Sequence, residues 1–223
     1  MTMAAPMHEQ EVSFLCGDAQ LRGLLALPRE AKAMVVFAHG SGSNLRSSRN
    51  AETARQLYDA GFASLRADLL TKEEADLNER TGQYRFDVAM LAERVLAASM
   101  FVGTVTDAQL LPLAYFGAST GAAAALLAAC KRRDVYAVVS RGGRPDLAID
   151  CLSDVRAATL LIVGGADVPI IPLNEEALTA LGGEKDLAIV ENATHLFEEP
   201  GALEIVGRLT IDWLTRYLPK AHE

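Results

Sequence analysis

From Pro28 onward, short apolar runs alternate with longer segments whose apolar residues recur at helical spacing. This alternation is the strongest constraint on the chain, because repeated βα units build a parallel sheet with helices on both faces. The runs predict strands at Ala33–Ala38, Ala63–Arg66, Leu113–Phe116, Tyr136–Ser140, Thr159–Val163 and Leu187–Val190. Between them the spacing predicts helices near Asn50–Ala60, Phe86–Ala98, Thr120–Lys131, Pro172–Leu181 and Ala202–Leu218. Ahead of this series, Glu11–Cys16 and Leu21–Leu27 flank Gly17-Asp18-Ala19-Gln20, which supplies the turn of an antiparallel hairpin. The result is an α/β fold with a mostly parallel sheet of about eight strands. The charged stretch from Lys72 to Arg80 reads as a short insertion over that sheet.

A chain of 223 residues, half of them hydrophobic, has enough apolar surface for one substantial core. We expect a single domain over residues 10–219 behind a tail of residues 1–9. The net charge of −8 and the scattered lysines and arginines disfavour nucleic acid and anionic membrane surfaces as partners. Neither a signal-peptide pattern nor a run of eighteen apolar residues occurs, so the expected location is cytoplasmic. Cys16, Cys130 and Cys151 are odd in number and widely spaced, which indicates packing residues rather than disulfides or a metal site. Oligomeric state leaves no mark on the sequence.

In an open parallel sheet, ligands gather at the carboxyl ends of the strands. There the chain carries Gly117-Ala118-Ser119-Thr120-Gly121, between an apolar strand and an alanine-rich helix. At glycine and serine frequencies of about 7% each, this pattern arises by chance in roughly one chain in fifteen of this length. The strand before it and the helix after it therefore carry the weight. A nucleophilic serine on such a turn is lifted clear of the sheet, and the flanking glycines let strand and helix backbones approach closely.

A serine hydroxyl needs a base. Of four histidines, His8 and His222 lie in the terminal segments and His39 follows an early strand, where its ring is expected to brace the next loop. His195, between the last strand and the last helix, is the candidate base. Asp167, in the loop after Thr159–Val163, is the candidate carboxylate that orients it; Asp146, Asp150 and Asp154 look like helix-start or surface residues. The amides of Thr120 and Ser41 are the candidate oxyanion donors, Ser41 lying in the glycine loop with Gly40, itself a candidate for substrate contact. Arg141, directly after Tyr136–Ser140, is placed to bind a substrate carboxylate or to form an ion pair with an aspartate such as Asp146. Arg80 and Arg85 invite the same reading.

Four segments carry a resemblance: Phe37-Ala38-His39-Gly40-Ser41-Gly42-Ser43, Gly117-Ala118-Ser119-Thr120-Gly121, Leu160 to Asp167, and Thr194 to Gly201. In order and spacing they resemble the α/β-hydrolase superfamily, in particular its smaller dienelactone-hydrolase-like members, over about Glu11 to Leu218. The resemblance implies acyl transfer to water through an acyl-enzyme, with no metal and no organic cofactor. It departs from the dienelactone hydrolases proper in carrying Ser119 where they use a cysteine. The substrate is expected to be a small or medium ester, in a fairly open site under a short cap. The same constellation also serves acyltransferases, thioesterases and peptidases, and a binding protein can keep the fold without the chemistry.

Overall fold

Gly17 adopts φ 57° and with Asp18 closes a tight turn, so that β1 (Glu9–Cys16) pairs antiparallel with β2 (Ala19–Ala26), Cys16 opposite Ala19. The computed structural model describes residues 7–220, so His222 lies outside the described residues. Six further strands follow: β3 Met34–Ala38, β4 Ala63–Ala67, β5 Leu113–Ala118, β6 Val135–Arg141, β7 Ala158–Gly164 and β8 Lys185–Val190. The sheet order is β1-β2-β4-β3-β5-β6-β7-β8, with β2 antiparallel to β4 and every later pairing parallel.

Helices cover both faces, which is why the central strands are apolar throughout rather than alternating. On one face, Met34, Val36 and Ala38 of β3 and Leu113 and Tyr115 of β5 pack beneath α3 (Val88–Val102) and α4 (Thr120–Lys131). On the other, Val35, Phe37, Ala114 and Phe116 pack beneath α1 (Ser48–Asp59) and α6 (Ala202–Arg216). Trp213 of α6 is buried there, its indole N–H donating to the Ala158 carbonyl at 3.0 Å. Cys16, Cys130 and Cys151 are partly buried against the first face. Among the described residues, no helix is long and apolar enough to cross a membrane.

Two elements went unpredicted. The stretch read as an insertion contains α2 (Lys72–Thr81), started by a capping box in which the Thr71 hydroxyl accepts from the Glu74 amide and the Glu74 carboxylate accepts from the Thr71 amide. After β6, Pro145–Asp154 winds into 3-10 turns, with Asp146 in the first of them. α5 (Ile171–Ala180) lies close to its predicted span. Because β4 and β5 lie on opposite sides of β3, the chain reverses direction there, and a crevice opens at the carboxyl ends of β3 and β5.

Candidate active site

Ser119 stands at that crevice, between β5 and α4, with φ 52° and ψ −125°. No β-strand or α-helix uses these angles. Local hydrogen bonds hold the turn: the Ser119 amide donates to Arg141 O at 3.3 Å, and its carbonyl accepts from the amides of Ala122 and Arg144 at 3.1 Å. The glycines on either side are required by close approach. A Cβ on Gly117 would lie 2.4 Å from the Ala122 Cα, and one on Gly121 would lie 2.2 Å from the Ala38 carbonyl. Gly40 is confined likewise, since a Cβ there would meet the Ser119 Cβ at 2.9 Å.

His195 lies in the loop after β8, its Nε2 3.4 Å from Ser119 Oγ, while its Nδ1 lies 2.7 Å from Asp167 Oδ2. The contact with the carboxylate fixes the proton on Nδ1 and leaves Nε2 to accept from the serine. The 3.4 Å separation is at the long end of a hydrogen bond, as is common in sites without substrate. The loops bearing the two residues are tied together by the Ala166 amide, which donates to Ala193 O at 2.9 Å. Behind His195, the ring of Phe197 is fully buried at φ 55°, and the Thr194 hydroxyl donates to Glu199 at 2.6 Å. The three residues singled out from the sequence thus meet at the ends of three different strands.

Thr120 is the first residue of α4, and its amide has no acceptor among the described residues. The Ser41 amide, expected to be free for an oxyanion, instead donates to Thr120 Oγ1 at 3.0 Å. His39 braces the loop as expected: its Nδ1–H donates to Gly40 O and its Nε2 accepts from the Leu69 amide, both at 2.9 Å. Burial pulls the His39 pKa below its ordinary value, against smaller raising effects of the Gly40 carbonyl and Asp68. Buried Asp68, which the sequence did not single out, accepts from the Leu45 amide at 2.8 Å and so anchors the far end of the same loop.

The ion pair entertained between Arg141 and Asp146 does not form, because Arg144 takes Asp146 with two hydrogen bonds at 2.8 and 2.7 Å. Arg141 instead lies 7% exposed with its guanidinium 5.7 Å from the Phe116 ring centre. Burial, with the nearby Arg49 charge, pulls its pKa down to about 10, so it stays charged at neutral pH. It lines a cavity of about 340 Å³ shared with Ser119, His195, Gly40, Arg49, Asn50 and Arg85. A second cavity of about 370 Å³ also borders Ser119 and His195, with Phe86, Pro169 and Ile170 in its wall. Arg80 lines neither and donates to the Asp76 carbonyl. Arg49 and Asn50 were missed; their only sequence signal is their place in the first helix after the glycine loop.

Comparison with known proteins places the fold. The model of the dienelactone hydrolase family matches residues 21–217. A dienelactone hydrolase crystal structure from Anabaena variabilis is 49% identical, with a TM-score of 0.92, over 96% of this chain and 99% of that one. A Xanthomonas campestris structure described as an α/β serine hydrolase without a lid gives a TM-score of 0.76 at 18% identity, over 98% of this chain and 99% of that one, which bears on the fold alone. A Mycobacterium tuberculosis protein named provisionally as a phosphoribosyl transferase is 49% identical over 96% of this chain, and the chain spans only 47% of its length. The chain belongs to the dienelactone hydrolase family, and its sheet is that of the α/β-hydrolase fold.

Proposed function

We propose that this chain is a serine hydrolase that cleaves small or medium carboxylic esters through an acyl-enzyme. The observation that carries the reading is the unbroken relay from Ser119 Oγ through His195 to Asp167, set beside two cavities. His195 Nε2 takes the Ser119 proton as Oγ attacks the ester carbonyl, and Asp167 steadies the imidazolium that forms. The negative charge on the carbonyl oxygen is met by the Thr120 amide and the positive end of α4. The Ser41 amide joins by exchanging the Thr120 hydroxyl for the oxyanion as its acceptor. On collapse, His195 gives the proton to the departing alkoxide, the C–O bond breaks, and the acyl group stays on Ser119. Water then attacks the acyl carbon while His195 takes its proton. Return of that proton to Ser119 releases the acid.

Supporting the ester reading, the described residues close no large cap domain over Ser119; between β4 and α3 stand only α2 and the short segment bearing Arg85 and Phe86. Hydrolysis of p-nitrophenyl esters of increasing acyl length tests it. Ser119→Ala is expected to lower turnover on the order of 10^4-fold or more while its circular dichroism is unchanged. A folded variant with near-normal turnover would remove Ser119 from the mechanism.

A further inference from the structure

Three arginines far apart in the chain converge on the cavity beside Ser119. Arg141 is only 7% exposed, yet its Nη1 has no acceptor and no carboxylate lies within ion-pairing reach among the described residues. Arg49 keeps one partner, Glu198 at 2.8 Å, while its buried Nε has none. Asn50, 3% exposed in the same wall, leaves Oδ1 unpartnered, so whichever way its amide is turned a polar atom faces unmet. Arg85 is exposed at the rim and forms no ion pair among the described residues. Among the described residues, no acidic residue lines the cavity.

Buried donors and charges without partners are costly, and a ligand that brings negative oxygens removes the cost. The charge count selects the ligand. Three guanidiniums against the single carboxylate of Glu198 leave two positive charges at the cavity. A substrate carboxylate would neutralise one of them. A phosphate monoester carries between about −1.5 and −2 at neutral pH and three acceptor oxygens, and the planar fork of arginine matches its geometry. Asp167 cannot serve in its place, being spent on His195 Nδ1.

We infer that this cavity is a subsite for a phosphate monoester group carried by the substrate, held by Arg141 with Arg49 and Arg85 beside the ester carbonyl that Ser119 attacks. As a statement about substrate, it rests on the esterase reading; as a statement about anion binding, it stands alone. The test is calorimetric titration of inorganic phosphate into the full chain at pH 8, with acetate and succinate as carboxylate arms and ionic strength fixed by potassium chloride. Phosphate is expected to bind one to one, at least tenfold tighter than either carboxylate, and Arg141→Met is expected to weaken it at least tenfold. Absence of saturable phosphate binding, carboxylates that bind as tightly, or a folded Arg141→Met variant with unchanged affinity would each overturn the inference. If Arg141→Met does not fold, Arg85→Met and Arg49→Met decide: a loss of threefold or more in each supports the subsite, and unchanged affinity in both refutes it. Phosphate binding without ester cleavage would leave the subsite standing and sink the esterase reading, whereas ester cleavage without phosphate binding would do the reverse.

Discussion

Ser119 pays with backbone strain for its position. A non-glycine residue in its region of φ and ψ costs about 1–3 kcal/mol, which the surrounding hydrogen bonds to Arg141, Ala122 and Arg144 must offset. His39 shows a different constraint. Its neutral ring satisfies Gly40 and Leu69 at once, and a second proton, on Nε2, would face the Leu69 N–H. Its folded pKa therefore lies below the ordinary value of about 6.5. As pH falls through that value the unfolded chain takes up a proton that the folded chain refuses, so stability declines below about pH 6.5 and gains nothing from this residue above it. Urea melts at pH 5.0, 6.0 and 7.5 should show a shallower pH dependence in His39→Gln than in the wild-type chain; equal slopes would remove His39 from the account. At this scale the sequence was legible where a residue sits in a local signature, as Ser119 does in its elbow. The Thr120 hydroxyl that occupies the Ser41 amide, and the Arg144 that takes Asp146 from Arg141, depend on contacts between segments, which no local pattern encodes.

Among the elements, α4 was predicted residue for residue because a strand, a glycine turn and an alanine-rich run leave it no other course. α2 was missed because its charged composition, with only Ala75 and Leu77 apolar, carries no apolar stripe at helical spacing, although Thr71 and Glu74 stand at the spacing of a capping box. Its tie to the rest of the chain runs through Glu74, which caps the helix and also accepts from Arg94 at 2.9 Å, and through Asn78, which accepts from the Tyr84 amide at 2.9 Å. Thr71→Ala should cost about 1 kcal/mol, expressed locally as roughly fivefold faster hydrogen exchange across residues 74–82. Unchanged exchange there would mean that α2 is held by something other than its cap.

For the whole molecule, the alternation of strand and helix was enough to foresee the sheet, because covering both faces of a parallel sheet demands uniformly apolar strands. What it could not foresee is the full convergence: Arg141 and Arg85 stand out in the sequence as candidates for substrate contact, but Arg49, on a helix far from both in the chain, joins them only because the reversal at β3 brings their elements to one edge. The same edge assembles the nucleophile, base and carboxylate from three separate loops. Reaction with a fluorophosphonate probe, followed by mass spectrometric mapping, tests that assembly most directly. The account predicts a single adduct on Ser119, lost in Ser119→Ala and slowed at least a hundredfold in His195→Ala; a folded wild-type chain that stays unlabelled would contradict it.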